Sequence, residues 1–111
     1  MEVFLVEKRF SEMKEFEIRH QIIKFNDKAI KAEQMGMVNE LAVYERKISL
    51  AKSYLLNPAD FKAGETYELN DGEASLFKIS YMNGVFAWGY RNSNETEEEA
   101  FPIAILVKKI H

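Results

Sequence analysis

LFKISYMNGVFAWGYR, residues 76–91, decides the fold: two runs of β-forming residues flank Asn83-Gly84, a dipeptide strongly favoured at the tip of a two-residue hairpin. With Asn83 and Gly84 as the central turn residues, the register pairs Met82 with Val85, Tyr81 with Phe86, Ile79 with Trp88 and Phe77 with Tyr90. One face then carries Phe77, Ile79, Tyr81, Phe86, Trp88 and Tyr90 and is expected to be core. The other carries Leu76, Lys78, Ser80, Met82, Val85, Ala87, Gly89 and Arg91, with small residues where a second layer could sit.

Outward from this hairpin the period-two pattern continues. Thr66 to Leu69 reads as a strand, followed by a turn at Asn70-Asp71-Gly72. Asn92 to Glu99 reads as a solvated loop entering a strand, and Ala100-Phe101-Pro102 leads into Ile103-Ala104-Ile105 and a last apolar run at Leu106-Val107. Four or five short strands, with a proline-initiated turn before the last, predict a small β-barrel whose closure removes exposed edges.

The first half obeys a different period. Ile18, Ile22, Phe25, Ala29 and Ala32 recur at alternating steps of four and three, which puts them on one stripe of a helix. Beyond Gly36 the same spacing runs through Met37, Leu41, Tyr44, Ile48, Ala51 and Leu55. Two stripes joined by a short glycine-containing link predict an antiparallel helical hairpin, with Gly36 in the left-handed conformation that ends the first helix. Ser11 is the expected N-cap of helix one, and helix two is expected to stop near Leu56, with Asn57 left-handed and Pro58 unable to continue the ladder. The expected class is therefore α+β: residues 1–10 an N-terminal extension, 11–57 the hairpin and 58–111 the barrel.

Composition bounds the function. The chain has 111 residues, 47% hydrophobic and 30% charged, which is ordinary for a compact folded protein, and no cysteine. Disulfide frameworks, thiolate metal sites and cysteine nucleophiles are thereby excluded. Residues 1–56 hold ten basic and nine acidic side chains, net +1, whereas 57–111 hold five and nine, net −4. An acidic second half is a poor match for phosphate, so any nucleic-acid contact is expected on the first half. With neither a membrane-length apolar run nor a signal-peptide core, the expected location is cytoplasmic, with no membrane partner.

The segments Glu7-Lys8-Arg9-Phe10-Ser11, Lys31 through Val43, Glu45-Arg46-Lys47, Asn83 through Arg91 and Glu98-Glu99-Ala100-Phe101-Pro102-Ile103 together resemble the YfhH-like family of small Firmicutes proteins. The resemblance runs from about residue 7 to the end. It implies a helical hairpin followed by an SH3-like barrel and a label as a transcriptional regulator, and it supplies no catalytic residues. Members typically begin at a methionine where this chain has Val6.

Three groups of residues are candidates for chemistry or contact. His20, beside the helix-one stripe, has no second histidine or convergent carboxylate at ligand spacing and reads as a solvated or boundary residue. No phosphate loop or nucleophile elbow is present, so the expectation is no enzyme, no metal and no cofactor. Lys24, Lys28 and Lys31 share one helix face and, with Arg46 and Lys47, form a candidate phosphate-contacting strip. Its ordinary counterpart is a solvated face intermixed with Asp27 and Glu33. Tyr81 and Tyr90, near the ends of the hairpin pairing, and Arg91 on the opposite face are candidate partner-binding residues. The leading expectation is a non-catalytic interaction module with a protein partner. The alternative is a nucleic-acid-associated regulator contacting phosphate through the hairpin, and the amphipathic helices leave homo-oligomerisation open.

Overall fold

The computed structural model describes residues 9–111, which divide after Leu55 into two compact units. The reading of residues 1–10 as an extension lies, up to Lys8, outside the described residues.

In the first unit a 3-10 turn at Phe10–Glu12 precedes helix α1, Glu15–Gln34, and helix α2, Val38–Ser53. Helix α1 starts later than the Ser11 cap predicts. Met13 and Lys14 keep extended backbone, and the Lys14 N–H donates to Glu17 Oε1 at 2.9 Å, so a carboxylate inside the helix satisfies the donor at its start. The hairpin closes as expected: Gly36 has φ +69°, its N–H donates to the Glu33 carbonyl at 3.1 Å, and the Met37 N–H donates to the Ala32 carbonyl at 2.8 Å. That double bond is a Schellman ending, which needs a left-handed residue where Gly36 stands.

The two helices pack on each other along the predicted stripes. Ile18, Ala29, Ala32 and Ala51 are buried, and the Phe25 and Tyr44 rings meet at 6.4 Å. Helix α2 ends at Ser53, short of Leu56, and Asn57 is not left-handed: it has φ −93° and its Oδ1 accepts from the Ala59 N–H at 3.0 Å, capping a 3-10 turn at Pro58–Asp60.

The second unit is a five-stranded antiparallel sheet. Strands β1 (Thr66–Leu69), β2 (Leu76–Asn83), β3 (Phe86–Arg91), β4 (Glu98–Pro102) and β5 (Leu106–Lys109) lie in the order β4-β3-β2-β1-β5, with a 3-10 turn at Ile103–Ile105 before the last. The sheet is open: β4 and β5 are its edges, and the edge-free closure expected of a barrel is not made.

The hairpin register differs from the expected one in two ways. The central turn residues are Gly84 and Val85, with Asn83 paired to Phe86, Met82 to Ala87 and Tyr81 to Trp88. Gly84, at φ +61°, takes the first central position of the turn, where glycine is favoured, and Val85 is buried while its carbonyl accepts from the Ile103 N–H at 3.0 Å. Further along, Ile79 pairs with Gly89 and Tyr81 with Trp88, so Ser80 is one residue too many on β2 and forms a bulge.

The bulge re-sorts the side chains. The core face holds Phe77 and Ile79 of β2 but Val85, Ala87 and Gly89 of the returning chain, joined by Tyr67, Leu69, Ile103 and Leu106. Tyr81, Phe86, Trp88 and Tyr90, expected inside, lie on the other face. The physical reason is the bulge, which flips alternation beyond it; the turn moved by one residue shifts the pairing by two positions and keeps the faces.

Candidate functional site

The outer face of β2, β3 and β4 collects the displaced rings. Tyr81 is 45% exposed and stacks on Trp88 with centroids 5.8 Å apart and planes 5° from parallel. Phe86, Trp88 and Tyr90 alternate along β3 with the buried small residues, and each is half-buried. Across β4 their partners are Pro102, Ala100 and Glu98, and on the β2 side Tyr90 faces Lys78. Partial desolvation, together with the charge of Glu98 and the neighbouring Tyr90, pushes the Tyr81 phenol up. Of the predicted contact residues, Tyr81 and Tyr90 are thus brought to one surface. Phe86, Trp88 and Glu98 were not foreseen there, although the run of Val85, Ala87 and Gly89 opposite three large rings is the pattern of a strand whose small face must pack tightly.

Arg91 is placed elsewhere. It shares the inner face with Phe77, and its guanidinium is held at the end of the sheet by Glu99 (Nη2 to Oε1 2.6 Å, Nε to Oε2 3.1 Å) and Asp71 (3.3 Å), over the Phe101 ring at 5.5 Å. The hydrogen bonds to Glu99 raise its pKa further. The residue is a fixed cross-link between the β1–β2 turn, β3 and β4.

Two carboxylates of this unit titrate well below their ordinary values. Glu65, which accepts from Lys109 Nζ at 2.9 Å, the Lys62 N–H at 3.0 Å and the Tyr67 hydroxyl at 3.0 Å, is lowered from 4.5 to about 2. Asp71, bonded to Ser75, the Glu73 N–H and Arg91, is lowered from 3.8 to about 2. The folded unit therefore binds fewer protons than the unfolded chain between about pH 4.5 and about pH 2. Its stability is full above that window and is lost as pH falls through it. Urea titrations followed by Trp88 emission at stepped pH should show this loss, and the double variant Glu65→Gln, Asp71→Asn should flatten it. An equally steep profile in the variant would assign acid sensitivity to other groups.

The basic strip spans both helices of the first unit. Lys28 Nζ lies 5.9 Å from the Tyr44 ring centroid and Lys47 Nζ 5.5 Å from the same centroid, with Lys47 also 5.7 Å from Phe25. Lys24, Lys31 and Arg46 are exposed on the same unit, and among the described residues none of these five cations has a carboxylate at ion-pair distance. His20 is exposed and, with Met13, Phe16, Glu17 and Gln21, lines an open hollow of about 530 Å³. No helix among the described residues is long and apolar enough to cross a membrane.

Comparison with known proteins places this architecture in a lineage. A family model described as "Protein of unknown function (DUF1811)" matches residues 8–107. The chain is also 55% identical over 104 residues to the "Uncharacterized protein YfhH" of Bacillus subtilis (strain 168), covering 94% of this chain and 99% of that one. With both helices, the bulged hairpin and the edge strand β4 inside the matched span, the chain belongs to the DUF1811 family of YfhH-like proteins.

Proposed function

We propose that the protein is a non-catalytic protein-interaction module in which the outer face of β2, β3 and β4 receives the partner. The observation that carries the reading is the sorting of rings on β3: Phe86, Trp88 and Tyr90 point away from a core already filled by Phe77, Ile79 and Ile103. A small sheet leaves so many aromatics outside at a cost in hydration, and contiguous apolar surface of this kind marks interaction sites. The sheet unit is read as an SH3-like barrel: supporting this are the β4-β3-β2-β1-β5 order, the antiparallel pairing throughout, the bend available at the β2 bulge and the 3-10 turn before β5.

Affinity capture on the full chain, with and without nuclease, tests the reading against Phe86→Ser and Tyr81→Ser variants. A protein partner retained after nuclease and released by these variants is the expected result. A partner that ignores both substitutions would remove the sheet face from the interaction.

A second reading is favoured by the convergence of Lys28 and Lys47 on Tyr44: a nucleic-acid-associated regulator contacting phosphate through the hairpin, with Lys24, Lys31 and Arg46 extending the strip. Binding of generic duplex DNA should then weaken steeply with salt, and Lys28→Glu with Lys47→Glu should reduce the salt slope by about two. No binding at low ionic strength would exclude it.

A further inference from the structure

Resting on the reading of the outer sheet face as the docking surface, we propose that Tyr81, Trp88, Tyr90 and Glu98 form a subsite for an arginine side chain of the partner protein.

The geometry supplies both halves of an arginine site. Tyr81 and Trp88 form a stacked pair of rings with planes 5° from parallel, and Tyr90 is the next residue on the same face of β3. A guanidinium is planar, delocalised and weakly hydrated, so it stacks on aromatic faces more readily than an ammonium does. Glu98 is the Cα partner of Tyr90 on the edge strand β4 and is exposed. Its carboxylate therefore stands beside the rings where a stacked guanidinium could donate to it.

Glu98 is also, among the carboxylates of this unit outside its ion pairs, the one that stands cross-strand from Tyr90. In this unit Glu99 and Asp71 share Arg91, and Glu65 is paired with Lys109. Among the described residues no lysine or arginine lies at ion-pair distance from Glu98. Lys78 flanks Tyr90 from the other side, two strands from Glu98 and on the order of 10 Å away between backbones. It leaves Glu98 free, and its charge directs an incoming cation toward the β4 side. The connection leading into β4 adds Glu95 and Glu97, and the second half of the chain carries net −4, so the surrounding field attracts a cationic segment.

Trp88 is the single tryptophan of the chain and reports directly on the subsite. The probe is a short blocked peptide of alternating arginine and alanine, compared with its citrulline counterpart, which keeps the shape of the side chain and removes the charge. The expected result is a saturable change in Trp88 emission with the arginine peptide and at least fivefold weaker binding of the citrulline peptide. Glu98→Gln should weaken the arginine peptide about tenfold and abolish the discrimination. Glu73→Gln, which removes one negative charge from the β1–β2 turn, should change affinity less than twofold, separating the subsite from the general field.

Equal affinity for both peptides, or an unchanged affinity in Glu98→Gln, overturns the arginine subsite. Absence of any Trp88 response to the arginine peptide overturns it as well. In each case the docking face itself is judged by the capture experiment with Phe86→Ser and Tyr81→Ser, in which Glu98 takes no part.

Discussion

Alanine at position 89 is expected to unfold the sheet unit while leaving the helical hairpin folded. A β-carbon built on Gly89 would lie 1.9 Å from the Lys78 carbonyl oxygen, 2.9 Å from its carbon and 3.1 Å from the Ile79 α-carbon. All three are backbone atoms of the paired strand, so no side-chain rotation relieves the contact, and β2 must separate from β3 where they are hydrogen-bonded. The cause is proximity alone, since the Gly89 backbone is not left-handed. Overpacking of this kind costs upward of about 3 kcal/mol. A unit of this length holds roughly 3–8 kcal/mol in total.

Trp88 emission, which reports on the sheet, should show Gly89→Ala unfolded or melting at least about 12 °C lower, with helical dichroism largely retained. Gly36→Ala is the informative contrast. Its β-carbon would meet nothing within 4 Å, and the φ of +69° is the only obstacle, so a loss of about 1 kcal/mol is expected, confined to the helices. If Gly89→Ala behaved as mildly as Gly36→Ala, the tight approach of β2 to β3 would be refuted.

The same neighbourhood explains how much of the molecule could be read in advance. Helix periodicity survives any small error in where a helix begins. Ile18, Phe25, Ala29 and Ala32 therefore face the second helix as their spacing demands, even though Lys14 and Glu17, not Ser11, organise the start. Strand alternation has no such tolerance. One extra residue at Ser80 leaves the local composition unchanged, yet it exchanges the faces, whereas a turn centred on Gly84-Val85 shifts the pairing by two positions and preserves them.

Both Asn83-Gly84 and Gly84-Val85 are acceptable turn centres, and the choice between them was made by Val85, which is buried and tied to Ile103. That long-range contact is invisible to local reading. From the sequence, Tyr81 and Tyr90 read as contact residues because they sit near the ends of the hairpin pairing. They are on the surface for a different reason, and the same reason brings Phe86, Trp88 and Glu98 with them. Convergence of Lys28 with Lys47 was legible because it follows from helical spacing and a short link.

Phe77→Ala and Tyr81→Ala, four positions apart on one strand, should give opposite outcomes. The alternation that reads both as core predicts two comparable losses. With the bulge between them, Phe77 is fully buried and meets the Phe101 ring edge-on at 5.1 Å and 88°, whereas Tyr81 is 45% exposed. Truncating Phe77 removes a large apolar side chain from a site enclosed by β1, β3 and β4 and leaves a cavity, at a cost of about 4 kcal/mol. That loss is comparable with the whole stability of the unit, and Phe77→Leu, which retains most of the volume, should cost about 1.5 kcal/mol and keep the fold. Truncating Tyr81 gives up one stacked contact with Trp88 and part of a half-wet ring, about 1 kcal/mol. Urea unfolding of the four proteins, followed by Trp88 emission, decides between the two arrangements. A Tyr81→Ala loss as large as that of Phe77→Ala would put Tyr81 back in the core and remove it from the docking face. A small loss with an intact Trp88 signal would leave the ring available to a partner.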